Sequence, residues 1–386
     1  MADVEIGRGK KARQAYGFDD IAIVPSRRTR DPQDVDIGWK LGPHLLELPL
    51  LASAMDGVVS PEIAIEVGKL GGLGVLNLEG IYARYENPDA ELERIAKLSK
   101  EKATAGMQEI YARPVEPKLI AERIEQIKRG GVLAAGSLTP QKVRDHYELA
   151  LEAGLDILVI QGTVVSAEHV SSNGQALNLK EFIASLPIPT LVGGCASYQT
   201  ALHLMRTGAE GVLVGVGPGQ ACTTRGVLGV GVPQATAISD AAAARVQHLL
   251  ETGKYVNVIA DGGMRTGGDI AKAVACGADA VMIGSPLARA KEAPGRGYHW
   301  GMATFHPTLP RGARVQVGQN ATLEEIVVGP ARENDGTLNL MGALRTSMAT
   351  CGYESIHDFQ KAEVVIAPAV KTEGKALQKA QGVGAP

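Results

Sequence analysis

Eight short apolar runs recur along the chain, each separated from the next by a stretch with helical patterning. That alternation constrains the fold more than any other feature. Asp156-Ile-Leu-Val-Ile160 is built of β-branched and Leu residues, as a parallel strand buried on both faces would be. Similar runs are Pro189 to Gly193, Gly211 to Gly215, Val256 to Ala260 and Ala280 to Gly284, with Leu50 to Ala54, Gly72 to Asn77 and Gly131 to Ala135 upstream. Between them, Pro61 to Leu70 has proline near its start and apolar residues at i, i+3, i+4 spacing, which predicts a helix. Further helices are predicted over 88–99, 117–129, 140–153, 178–185, 198–207, 237–252 and 267–276. Gly154, Gly208 and Gly277 each close a helix just ahead of a strand, the punctuation of an αβ unit.

Eight even units predict a TIM-type (β/α)8 barrel. The alternative, an open doubly wound sheet, lacks its G-x-G-x-x-G opening a helix after the first strand. A chain of 386 residues fits such a barrel as one domain over 1–372. The irregular Gly-, Pro-, Arg- and His-rich stretch at 289–340 reads as an active-site flap, and the Gly/Ala/Lys/Gln-rich end, 373–386, as a flexible tail. With only four Phe and two Trp, the core must be aliphatic. A net charge of −3 gives no electrostatic case for nucleic acid or an acidic membrane surface. Four widely spread cysteines, with no C-x-x-C, argue for a reducing cytoplasmic compartment and against disulfides or zinc. The N-terminus lacks the apolar region of a signal peptide, and no apolar run is long enough to span a bilayer.

In such barrels the chemistry collects at the C-terminal ends of the strands. After the sixth run, Gly215 to Arg225 read G-V-G-P-G-Q-A-C-T-T-R. Glycines here let the backbone turn left-handed and let a ligand approach the main chain. Cys222 lies two residues before the Thr224 hydroxyl and three before the Arg225 guanidinium, which makes it a candidate activated nucleophile. Asp261-Gly-Gly-Met-Arg265 follows the seventh run and Gly284-Ser285 ends the eighth. Loops after strands seven and eight commonly hold phosphate through backbone N–H groups. Gly262, Gly263, Gly284 and Ser285 suit such a cradle, and Asp261 at a strand end suits a ribose diol. With the Cys222 loop they predict a nucleotide site.

These motifs, in this order, resemble the IMP dehydrogenase / GMP reductase family, and the likeness covers nearly the whole chain. Phe18-Asp-Asp-Ile-Ala-Ile-Val-Pro25 resembles the family's N-terminal strand motif. Ser53-Ala-Met-Asp56 and Gly71-Gly-Leu-Gly-Val75 resemble its first two barrel units. Gly217 to Arg225 and Gly231-Val-Pro-Gln234 resemble the catalytic loop and the helix start after it. Ala260 to Gly263, Gly268 to Lys272 and Met282 to Ser285 resemble the nucleotide site, and Leu344-Arg345 with Cys351 to Ile356 the C-terminal helix region.

The resemblance implies that the Cys222 thiolate attacks C2 of a purine 5′-nucleotide. In a dehydrogenase, hydride then passes from C2 to NAD+ and water releases XMP. In a reductase, ammonia leaves C2 of GMP and NADPH delivers hydride to give IMP. Thr224 would assist the departing ammonia. The same resemblance implies substrate contacts from Ser53, Met55, Gln220, Asp261, Gly262, Gly263, Gly284, Ser285, Tyr298, Gly301 and Met302. It implies cofactor contacts around Gln161, Gly162 and Thr163, a potassium ion on the carbonyls of Gly217, Gly219 and Cys222, and a homotetramer.

Departures from the family pattern choose between its branches. Dehydrogenases usually carry a CBS-domain pair after the second barrel unit, and here only residues 100–116 fill that place. The dehydrogenase flap carries an adjacent Arg-Tyr pair that activates water, and none occurs between Tyr298 and Gln319. Losing a general base typically costs about 10²- to 10⁴-fold in rate, which favours the reductase direction. Reductases place a glutamate in the flap, and Arg311 stands at that position. Gln161 stands where dehydrogenases have an aspartate near the nicotinamide, and Cys195 where the family often has asparagine. The expectation is a GMP reductase using NADPH. An NAD-dependent IMP dehydrogenase is the alternative, and a nucleotide-binding regulator without turnover is the third reading.

Overall fold

The computed structural model describes residues 3–170 and 177–384. Eight parallel strands close into a barrel: β1 (Leu50–Ala52), β2 (Leu73–Asn77), β3 (Ala135–Leu138), β4 (Ile157–Gln161), β5 (Thr190–Cys195), β6 (Gly211–Val214), β7 (Asn257–Asp261) and β8 (Ala280–Ile283). Closure comes where Val281, Met282 and Ile283 pair with Leu50, Leu51 and Ala52. The (β/α)8 expectation is met. The helices around it are α1 (Pro61–Lys69), α2 (Pro88–Lys97), α3 (Ala103–Tyr111), α4 (Pro117–Arg129), α5 (Val143–Glu152), α6 (Leu179–Ala184), α7 (Tyr198–Met205), α8 (Thr224–Leu228), α9 (Gln234–Thr252) and α10 (Gly267–Ala275).

Local chemistry explains the αβ units. The Ser60 hydroxyl accepts from the Ile63 N–H at 3.2 Å and Pro61 opens α1, which buries Ile63, Ala64 and Val67. A Cβ on Gly74 would stand 2.4 Å from the Ala64 Cα, so only glycine lets α1 lie this close to β2. Gly154, Gly208 and Gly277 all take positive φ, as a helix stop ahead of a strand requires.

The third strand departs from expectation. It runs over Ala135–Leu138 rather than Gly131 to Ala135. Val132, which reads as strand, instead fills the space over Gly68 of α1, where a Cβ would meet it at 2.7 Å. The strand itself is Ala-Gly-Ser-Leu, a poor β sequence chosen by the room inside the barrel. Helix α3, lying in the 100–116 segment, is not among the helices the sequence predicts.

Inside the barrel, Leu51, Val75, Ala135, Val159, Leu191, Leu213, Ile259 and Met282 belong to one apolar cluster, and the hairpin carrying Trp39, Leu41 and Leu46 plugs its lower end. Side chains alternate along a strand, so two residues further on lie the positions that floor the upper mouth. They are Ser53, Asn77, Ser137, Gln161, Gly193, Gly215, Asp261 and Gly284. Three of the eight are glycine and the rest polar, which makes that end the place for a ligand. Over it folds the 289–340 segment, with a small sheet pairing Tyr298 and His299 with Gln316 and Val315, and helix α11 (Leu323–Val327). Among the described residues no helix is long and apolar enough to cross a membrane. Residues Ala376–Gln381 form a short helix with exposed side chains.

Candidate active site

The loop after β6 is tied in place by its own arginine. Arg225 donates from Nε to the Val216 carbonyl at 3.1 Å and from Nη2 to Val232 at 2.7 Å. Gly217, with φ +73°, lets the Arg225 stem pass, since a Cβ there would sit 2.8 Å from its Cγ. Arg225 therefore spends its hydrogen bonds on the loop itself rather than on the thiol. Cys222 is half-buried at the start of α8. Its thiol donates to the Thr224 hydroxyl at 3.1 Å and faces the Arg311 carbonyl at 3.8 Å. Thr224 is fully buried and Gln220 is exposed at the loop's tip.

The loop after β7 abuts this one. Gly262 and Gly263 have φ of +77° and +84°, and a Cβ on Gly263 would lie 3.0 Å from Pro218. Gln234, at the start of α9, joins the two strand ends. Its amide nitrogen donates to the carbonyls of Val214 at 3.1 Å and of Asp261 and Gly262 at 3.2 Å. The Asp261 carboxylate accepts from Gln161 Nε2 at 3.0 Å across the barrel mouth. Burial pushes its pKa up to about 6, and the Gln161 bond opposes that rise. Gln161 thus lies beside the predicted diol-binding carboxylate, while Gly162 exchanges backbone hydrogen bonds with Gly193 and Gly194.

Next to β7 around the barrel, the β8 and β1 ends meet. Ser53 N–H donates to Ile283 at 2.9 Å, and a Cβ on Gly284 would stand 2.7 Å from the Met55 sulfur and 3.6 Å from Ser53 Oγ. Ser285 follows, half-buried. Ser53, Met55, Gly284 and Ser285 are therefore gathered at the β8 and β1 ends, beside Cys222, Asp261, Gly262 and Gly263 at the β6 and β7 ends.

The flap closes over both. Arg311 and Ala313 donate to or accept from Ala303, Ala221 and Thr223, so residues 311–313 pair with the cysteine loop. The Gly301 N–H donates to Thr304 Oγ1 at 3.1 Å, and Gly301 and Met302 stay half-exposed. The Tyr298 ring carries the Arg314 guanidinium 4.3 Å above it. Arg314 also donates to the α2 carbonyls of Ile95, of Ala96 at 3.2 Å and of Leu98 at 2.7 Å, capping that helix. His299 is buried, and desolvation pushes its pKa down to about 4, so it is neutral at physiological pH.

The sequence reading missed one part of the site. Tyr111 of α3 donates to Asp56 at 2.5 Å, accepts from Trp300 Nε1 at 2.7 Å and stacks on Phe305 at 3.5 Å between ring centres. Burial pushes Asp56 up to about 6, which still leaves it ionised at neutral pH. These partners lie far apart in sequence, so no local signal joins them.

A barrel with a cysteine on the β6 loop, a glycine-rich β7 turn and a flap over both defines an enzyme class that works on a ligand seated at the strand ends. The chain belongs to the IMP dehydrogenase / GMP reductase family: the model of the IMP dehydrogenase / GMP reductase domain matches residues 15–376. An uncharacterized oxidoreductase of Mycolicibacterium smegmatis is 47% identical over 372 residues, covering 94% of this chain and 99% of its own. An inosine-5′-monophosphate dehydrogenase of Cryptosporidium parvum is 31% identical over 392 residues, covering 94% of this chain and 92% of its own. The crystal structure of an IMP dehydrogenase/GMP reductase-like protein from Corynebacterium glutamicum superposes with a TM-score of 0.90 at 45% identity, over 95% of this chain and 98% of that one. The protein is an oxidoreductase of this family, whose enzymes use nicotinamide cofactors.

Proposed function

We propose that this protein is a GMP reductase, converting GMP, NADPH and a proton to IMP, ammonia and NADP+. The flap carries the reading. Of the two arginines between Tyr298 and Gln319, Arg314 is committed to the α2 carbonyls and the Tyr298 ring, and Arg311 donates to the Leu309 carbonyl at 3.1 Å. Neither is followed by a tyrosine in the chain, and the Arg314 guanidinium over the Tyr298 ring is itself held by the α2 carbonyls, so the adjacent Arg-Tyr pair that would activate water has no counterpart between Tyr298 and Gln319. A hydrolytic step is thus left without the group it needs, whereas reduction of C2 requires none.

In this reading the Cys222 sulfur bonds to C2 of GMP and the C2–N bond breaks to release ammonia. The Thr224 hydroxyl, 3.1 Å from the sulfur, is close enough to pass a proton to the leaving nitrogen. NADPH supplies the hydride when bound. The C–S bond then breaks and returns the thiolate. Asp261 accepts from the ribose diol, with Gln161 orienting it. Ser53, Gly262, Gly263, Gly284, Ser285 and Tyr298 hold the phosphate, and Met55, Gln220, Gly301 and Met302 border the base. The flap segment 311–313, bridged to Cys222 through Gly312, keeps water from the sulfur-bound carbon. Among the described residues, the Gly217 and Cys222 carbonyls accept no hydrogen bond from the chain, and that of Gly219 accepts only from Cys222 at 3.0 Å. Carbonyls left free in this way suit a potassium ion, which would rigidify the loop.

The test follows absorbance of the reduced cofactor with GMP plus NADPH and, separately, with IMP plus NAD+. Loss of signal in the first mixture alone is the expected result. Gain in the second alone would assign the dehydrogenase direction, which the names of the more distant relatives favour. Bound nucleotide with no change in either would assign a regulator.

A further inference from the structure

Helix α3 lies between the second and third barrel units, and its last turn meets the flap. At its C-terminal end the Tyr111 phenol is fully enclosed. It accepts from Trp300 Nε1 at 2.7 Å on the flap and donates to Asp56 at 2.5 Å on the loop after β1. Its ring lies parallel to Phe305, 3.5 Å away and 4° out of plane. One turn earlier, Gln108 donates to the His306 carbonyl at 3.0 Å. The Asp56 carboxylate is itself anchored, accepting from Ile81 N–H at 3.2 Å and Asn77 at 3.5 Å. Trp300 and Asp56 are all but inaccessible to solvent, so each bond forms without competition from water.

The flap carries this anchorage on to the thiol. Residues 300–305 hold Thr304, against which Gly312 packs so closely that a Cβ would lie 2.3 Å from Thr304 Oγ1. Arg311 N–H donates to Ala303 at 2.8 Å. Gly312 pairs with Cys222, and the Arg311 carbonyl faces its sulfur. A shift of the 300–305 arm therefore moves the strand that lies on the cysteine.

We propose that Tyr111 is a positioning residue for the reaction at Cys222: by clamping Trp300 and Phe305 to the loop after β1, it holds the flap closed over the thiol. The inference rests on Cys222 being the reacting group, as proposed above. Tyr111→Phe keeps the ring stack and removes both hydrogen bonds, leaving the Trp300 N–H and the Asp56 carboxylate without their partner.

Two measurements read the outcome in the purified full-length protein. The first is the rate at which iodoacetamide alkylates Cys222, followed by mass spectrometry of its peptide. A loosened flap uncovers the sulfur, and the rate is expected to rise about 5- to 10-fold, the population shift that losing about 1 kcal/mol of closure produces. The second is steady-state turnover with GMP and NADPH. There kcat is expected to fall about 10- to 100-fold with KM for GMP changed little, since misplacing a group at the reacting centre acts on the transition state. Merely structural weakening would lower Tm and leave both readings alone. A folded Tyr111→Phe protein with alkylation and kcat both within about twofold of wild type overturns the proposal. If Tyr111→Phe does not fold, Phe305→Leu, which breaks only the stack from the flap side, is judged by the same two readings. Alkylation needs no turnover, so a wild-type protein inactive on GMP refutes the reductase reading while leaving this inference decidable.

Discussion

Gln234 offers the sharpest check on how the loops after β6 and β7 are held together. It is 4% exposed, and its single amide nitrogen serves carbonyls at the ends of β6 and β7. Two N–H groups are shared among three acceptors, so Gln234→Ala removes about two hydrogen bonds at roughly 1 kcal/mol each. The buried stem lost with them adds about 1 kcal/mol. Unfolding entropy of about 2.1 cal/mol/K per residue over 386 residues turns that loss into a fall in Tm of about 4 °C. The larger effect falls on activity, because the cysteine loop and the Asp261-Gly-Gly turn lose the tie that sets their separation. A displacement near 1 Å at such a site lowers kcat/KM about 100-fold. Gln234→Glu sharpens the argument. It preserves shape, but its carboxylate faces three carbonyl oxygens with no hydrogen to offer. It is expected to be less stable than the alanine variant at pH 8, and to recover as pH falls and protonation restores a donor. Thermal unfolding by circular dichroism, with steady-state kinetics beside it, reads all of this. A Gln234→Glu protein as stable as wild type, or a Gln234→Ala protein with Tm within about 1 °C and unchanged kcat/KM, would refute the tie.

Cys222→Ala is expected to abolish turnover of GMP while calorimetry shows nucleotide still bound; surviving turnover contradicts a covalent route. Asp261 has its pKa raised to about 6 by burial. The native state therefore binds this proton more tightly than the unfolded chain, and the charge costs stability above that pH. Two consequences have opposite signs: Asp261→Asn raises the Tm of the ligand-free protein at pH 7.5, yet weakens nucleotide binding, and wild-type affinity falls as pH drops through about 6. A flat affinity profile between pH 5 and 8, on titration by calorimetry, would remove Asp261 from the diol. Arg314→Ala strips the α2 cap and uncovers the Tyr298 ring, at a cost of about 2 kcal/mol. Faster chymotrypsin cleavage within 298–317 is the expected signature, and unchanged cleavage would show that Arg314 does not hold the flap.

The barrel was legible because its signal is local. Burial on both faces forces unbroken apolar runs, and a helix that must stop before a strand needs a residue tolerant of positive φ, so Gly154, Gly208 and Gly277 stand out in the chain. The third strand escaped because Ala135-Gly-Ser-Leu138 was selected for room. Gly136 lies against Leu78 and Leu155, and Ser137 faces the mouth, whereas the Val132 that reads as strand packs on α1. The loops after β6 and β7 were legible through their glycines and Cys222. The partners of those residues were not. Gln161 and Asp261 are 100 residues apart and meet only because β4 and β7 face each other across the barrel.

Pattern and spacing thus settled the kind of fold and the order of its units, and marked the glycine-rich loops after β6 and β7, since each of these is written in short stretches of chain. Tertiary structure decided what those loops touch. It placed Arg225 on its own loop, Arg314 on α2 and the Arg311 carbonyl against Cys222. It also turned the 100–116 segment, featureless as sequence, into the helix whose Tyr111 grips the flap. Hydrogen bonds and stacking between residues far apart in the chain depend on how strands close into a barrel, and no window of sequence contains both ends of such a contact.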